Sequence, residues 1–176
     1  MKHKIYVLLA LFLIIFSFSK AQNNKTKIFK NKHLKVEYPK TWFKFGAIGY
    51  VYFIPKTIRK NTFENEVEHV SINKNIIPIN NGENVENVLK NYSSVLMRNE
   101  IKKTFEIVKL ESYSKFIYKI TSSVIYNSID EIYKRVEYFF INKDEALENY
   151  RYQMREGLFD KYYDDAMLII NSIEKR

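Results

Sequence analysis

The chain has 176 residues, with 29 Lys and Arg against 20 Asp and Glu, 46% hydrophobic and 16% aromatic residues, and no cysteine. That is the size of one ordinary domain with enough apolar surface for a core, and it excludes disulfides, thiolate nucleophiles, cysteine zinc sites and iron–sulfur clusters. Four glycines and three histidines leave no glycine-rich phosphate loop and little for a histidine metal centre, so no cofactor and no metal site is expected.

The chain opens on Lys2-His3-Lys4, followed by an apolar run from Ile5 to Phe18 and by small residues at Ser19 and Ala21. This is the order of parts in a secretory signal peptide, cut before Gln22. The run is short of the roughly 20 apolar residues of a spanning helix, so no stable membrane insertion is expected after cleavage. Removal of residues 1–21 takes away Lys2, Lys4 and Lys20 and no acid, which lowers the net charge of +9 by three. The protein is therefore expected to be exported, to the periplasm or the extracellular space. Residues 22–32 are Lys- and Asn-rich and read as a flexible leader. Residues 33–176 read as a single domain.

Within that domain Leu34, Val36 and Tyr38 alternate with polar residues, a half-buried strand ended by Pro39. Trp42 and Phe43 follow as an apolar plug, Gly46 and Gly49 as a turn, and Tyr50 to Ile54 as a strand closed by Pro55. Lys56 to Glu66 reads as an exposed loop. Val67 to Asn73 is a strand with Val70 and Ile72 on one face. Pro78 keeps Ile76 to Ile79 out of a central strand, and Asn80-Asn81-Gly82 is a turn. Asn84 to Arg98 carries a helical stripe of Val85, Val88, Leu89, Tyr92, Val95 and Leu96, with Asn81 or Asn84 as N-cap.

Phe105 to Leu110 is a further strand. Three longer strands follow, Lys115 to Tyr126, Glu131 to Ile141 and Glu148 to Arg155, joined by Asn127–Asp130 and Asn142–Glu145 turns. Gly157 is expected to separate the last strand from a closing helix, Leu158 to Glu174, whose stripe is Phe159, Tyr162, Tyr163, Ala166, Met167, Ile170 and Ile173. Aligning one apolar face across the three long strands pairs Ile120 with Val136, Tyr118 with Tyr138, and Tyr138 with Tyr152. That register sets Lys119 opposite Glu137 and Gln153, and Thr121 beside Arg135 and Arg155.

Leu34-Lys35-Val36-Glu37-Tyr38-Pro39 followed by Trp42, the helix from Asn84 before a multi-strand meander, and the closing helix ending Ile169-Ile170-Asn171-Ser172-Ile173 together resemble the PsbP-like family. That fold is shared by the extrinsic photosystem protein and the Ran-binding Mog protein. The resemblance implies an α+β fold, an antiparallel sheet of about six to seven strands flanked by helices on both sides. It implies no single activity, and no stretch matches a binding site of either member.

Chemistry is sparse. His33 and His69 lack partners at ligand spacing, and His69 reads as a surface histidine on a strand edge. The adjacent pairs Asp164-Asp165 and Asp130-Glu131 do not converge. Ser93-Ser94 lies mid-helix without a nucleophile elbow. Tyr113, Tyr133, Tyr162 and Tyr163 are either packing residues or contact surface. Basic residues are interleaved with acids, without a run of like charge or a nucleic-acid motif, so nucleic acid is not an expected partner.

The best candidate site is the polar face of the meander, where Arg135, Arg151 and Arg155 should share one side near Lys119. Arginine forks recognise carboxylates and phosphates. The competing reading is internal neutralisation by Glu137 and by Asp160, Asp164 and Asp165 of the closing helix. The expected function is an exported, non-enzymatic binding or accessory module of the cell envelope, holding a protein or anionic envelope component. The alternative is a hydrolase of envelope polymers whose carboxylate pair the fold assembles; a third idea is an antagonist of a secreted toxin.

Overall fold

In the computed structural model, residues 25–46, 50–58, 68–73, 76–96, 104–112, 114–125 and 131–176 are described. The signal peptide read at residues 1–21, Gly49, most of the Lys56–Glu66 loop, Tyr113 and the Asn127–Asp130 turn lie outside them.

Period-two alternation of β-branched and aromatic residues builds seven antiparallel strands into one sheet. They are β3 (Trp42–Phe45), β4 (Tyr50–Pro55), β5 (His69–Asn73), β6 (Thr104–Lys109), β7 (Tyr118–Ile125), β8 (Ile132–Ile141) and β9 (Leu147–Arg155), in the order β3-β4-β5-β9-β8-β7-β6. A second, three-stranded sheet combines β1 (Thr26–Lys30), β2 (Leu34–Pro39) and β10 (Glu174–Lys175), with β2 in the middle. Helix α1 (Val85–Leu96) and helix α2 (Glu156–Ser172) complete the fold.

Each helix covers one face of the large sheet. On the α2 face Phe53, Val70, Ile72, Val136, Tyr150, Tyr152 and Met154 pack with Phe159, Ala166, Ile169 and Ile170 of α2. The small sheet joins the same core through Leu34, Val36 and the Tyr38 ring, 5.0 Å from Phe53. On the other face Val88 and Leu89 of α1 pack on Tyr118, Ile120, Phe139 and Leu147. A twelve-residue helix is marginal alone. This packing holds it, together with Asn84 as N-cap, whose Oδ1 accepts the Glu86 N–H at 2.8 Å. Gly82 turns the chain into it with φ +78°, where a side chain would be strained. At the far end of the molecule Lys115 Nζ donates to the Ile170 and Asn171 carbonyls, 2.8 Å each, and so caps α2.

Five expectations are corrected. Part of the supposed leader is a strand, because β1 pairs with β2 from Thr26↔Pro39 to Lys30↔Lys35. Trp42-Phe43 begins strand β3 rather than forming a plug. Gly157 does not separate β9 from α2, since the helix starts at Glu156 and takes Gly157 into its first turn. The stripe of α1 holds from Val85 through Val88 and Leu89 to Tyr92 but not at Val95, which is 55% exposed while Ser93 is buried. The register of the long strands also differs. Ile120 pairs with Glu137 and Thr121 with Val136, one residue from the expected pairing, and Tyr138 pairs with Tyr150 rather than Tyr152. The cause is that both sheet faces are buried. The apolar set of β7 lies under α1 and that of β8 under α2, so aligning apolar sets does not give the register.

Candidate functional site

Alternation places Arg135, Arg151 and Arg155 on the α1 face of β8 and β9, as expected from their spacing. Lys119 is not with them. It pairs with Tyr138 and stands on the opposite face, a consequence of the one-residue register difference. The arginine face is not an open surface, for Arg135 is 5% and Glu137 2% exposed.

Each arginine is engaged. Glu137 lies opposite Arg151 in the β8–β9 ladder. Its Oε1 accepts from Arg151 Nε (3.0 Å) and Nη2 (2.9 Å), Asn149 Nδ2 (2.7 Å) and the Tyr92 hydroxyl (3.0 Å). Arg151 Nη2 also donates to the Tyr92 oxygen at 3.2 Å. Burial alone would lower the Arg151 pKa, but the Glu137 charge and these hydrogen bonds carry it upward. Burial, then Glu137, raises that of Tyr92. Arg135 Nε donates to Gln153 Oε1 at 2.6 Å. Arg155 grips Glu68 through Nε and Nη2 and lies 3.5 Å from Glu131. Glu137 thus supplies part of the expected internal neutralisation. The closing helix does not, because Asp160, Asp164 and Asp165 sit on the other side of the sheet; Glu68 takes that role.

The remaining candidates are also placed. His69 is buried, 5% exposed, in the interior strand β5 with its ring 4.9 Å from Tyr52 in an edge-on contact, not at a surface edge. Asp165 accepts the Trp42 indole N–H at 2.8 Å, while Asp164 faces solvent. Tyr133 is core. Tyr162 shares a 2.7 Å hydrogen bond with Thr57, and Tyr163 a 3.2 Å one with Tyr138. Glu68 and Glu131 are brought together only through Arg155, whose single guanidinium they share.

A different region is open. A groove runs between β1 and β3, lined by Lys27, Phe29, Lys30, Lys44 and Lys56 over Tyr38 and Trp42. Among the described residues, none of these four lysines pairs with a carboxylate. Lys44 reaches across to lie 4.5 Å over the Phe29 ring, a contact of about 0.5–1 kcal/mol at an exposed site and readily exchanged. The groove escaped the sequence reading because Lys27 and Lys30 were assigned to the leader. Ile28-Phe29 between lysines, a short β-prone run, was the available signal.

No family model matches the chain, and no curated protein sequence matches it. Among solved structures, the solution structure of cyanobacterial PsbP (CyanoP) from Synechocystis sp. PCC 6803 is similar, with a TM-score of 0.56 at 12% identity, over 86% of this chain and 93% of that one. The fold is therefore an α+β fold of the PsbP type, with helices on both sides of its antiparallel sheet. Among the described residues no helix is long and apolar enough to cross a membrane.

Proposed function

We propose that the protein is an exported, non-enzymatic binding module of the cell envelope, and that its anionic partner seats in the groove between β1 and β3. The observation that carries this is the set Lys27, Lys30, Lys44 and Lys56 around Phe29 and Tyr38, four cations without a carboxylate partner among the described residues. Cations over aromatic rings supply charge attraction and contact area at one place. The arginine face contributes rigidity instead, since its guanidiniums are consumed by Glu137, Gln153 and Glu68. Export rests on the order of basic, apolar and small residues through Ala21.

The test is capture of envelope components on the immobilised protein beside a Lys27→Glu/Lys30→Glu/Lys44→Glu/Lys56→Glu variant. These side chains border an open groove, so the variant should keep its far-ultraviolet circular dichroism. A component held by the wild type and released by the variant is the expected result. A component held equally by both would move the site elsewhere.

A further inference from the structure

We infer that the groove takes an extended acidic segment of a partner protein, which adds as a strand to the open edge of β1. This deepens the reading of the groove as the binding site and rests on it.

β1 is the outer strand of its sheet, and among the described residues its backbone makes no hydrogen bond beyond the β1–β2 ladder. Lys27, Ile28, Phe29 and Lys30 all line the groove. Successive strand residues point to opposite faces, so a groove touched by four in a row follows the strand edge and not one face. Across the groove Trp42, Phe43 and Lys44, again consecutive, come from β3, the outer strand of the large sheet. Ile28 is 64% exposed.

An open strand edge offers alternating N–H donors and C=O acceptors. A phosphate can accept from the donors but leaves the carbonyls unmatched, and the hydroxyls of a glycan do not repeat at the spacing of a strand's donors and acceptors. A polypeptide in β conformation satisfies both, which is the strand-addition mode of recognition. Charge selects which polypeptide. Lysines on an edge strand repel another basic edge and so discourage self-pairing; the same lysines complement Asp and Glu on both faces of an incoming strand, because Lys27 and Lys30 point to opposite faces of β1. Phe29 and Tyr38 share the Lys27 face, where an apolar residue next to an acid on the same side of the incoming strand finds contact.

The probe is a peptide of about seven residues in the repeat Glu-Glu-Val-Val, which sets an acid and an apolar residue in turn on each face and is long enough to lie along β1 at about 3.4 Å per residue. It is compared with the same peptide N-methylated at alternate amides, and with phosphatidylglycerol vesicles. Strand addition predicts that the unmodified peptide binds and protects the Thr26–Lys30 amides from hydrogen exchange. N-methylation should weaken binding about tenfold or more through lost backbone hydrogen bonds, and Lys27→Glu/Lys44→Glu should do the same through charge. If both peptides bind alike, or vesicles bind while β1 exchange is unchanged, the groove remains the site and strand addition is wrong. If no probe binds, both readings fail, and the lysines serve only to keep strand edges apart.

Discussion

Glu137 Oε1 receives Arg151, Asn149 and Tyr92 at once, joining strands β8 and β9 to helix α1 through one buried oxygen. Removing that oxygen strands a guanidinium whose side chain is 16% exposed. Glu137→Leu is therefore expected to cost about 3–5 kcal/mol, and Glu137→Leu/Arg151→Met to recover most of it, because an apolar pair of similar volume carries no desolvation cost. Urea denaturation of the two variants decides the matter; a single-variant loss below about 1 kcal/mol would show that water already reaches Arg151. The side of the sheet these arginines occupy follows from alternation and was legible. Their partners were only half legible. Glu137 is a neighbour in the hairpin, whereas Glu68 and Tyr92 come from β5's leading edge and from α1, and no local pattern announces contacts across such distances in the chain.

At the scale of elements, α2 and the small sheet are joined by Ser172. Its hydroxyl oxygen accepts the Glu37 N–H at 2.9 Å and lies within donating distance of the Glu37 and Ile169 carbonyls, 2.9 and 2.8 Å. Ser172→Ala should leave the Glu37 amide unpaired, cost about 1–2 kcal/mol in urea denaturation and speed hydrogen exchange at Glu37. Unchanged exchange there would show that the hydroxyl does not hold β2. The small sheet is also where the sequence was hardest to read. Its outer strands are Thr-Lys-Ile-Phe-Lys and Glu174-Lys175, too short and polar for alternation to show, and they exist because β2 offers two edges to pair with. The long strands had the opposite difficulty. Tyr118 and Ile120 in β7 and Val136, Tyr138 and Phe140 in β8 are equally apolar sets, but they serve different helices. Strand existence was readable from such sets, and register was not.

Over the whole molecule, covering both faces of the sheet buries an unusual number of phenols. Burial is the leading cause that raises the pKa of Tyr92, Tyr133, Tyr138, Tyr150 and Tyr152 above the ordinary 10.0, with carboxylates nearby adding to it for all but Tyr138, where Tyr163 does. Each stays protonated in the folded chain at a pH where the unfolded chain has already released its proton. The unfolded state then binds fewer protons, and stability falls as pH rises. The phenol contribution is fully present below about pH 10, the unfolded value, and is lost above it by at most about 1.4 kcal/mol per pH unit for each tyrosine, less for the half-buried Tyr138 because solvent screens it. A pH series of urea midpoints from 8 upward should therefore be level and then drop steeply beyond about 10, with these five phenols adding their tyrosinate absorbance only on unfolding. Tyr150→Phe, which keeps the ring and removes the proton, should make that drop shallower. A midpoint that stays level through the unfolded tyrosine range would mean that the phenols ionise in the folded chain, and that the sheet is wetter on both faces than its packing indicates.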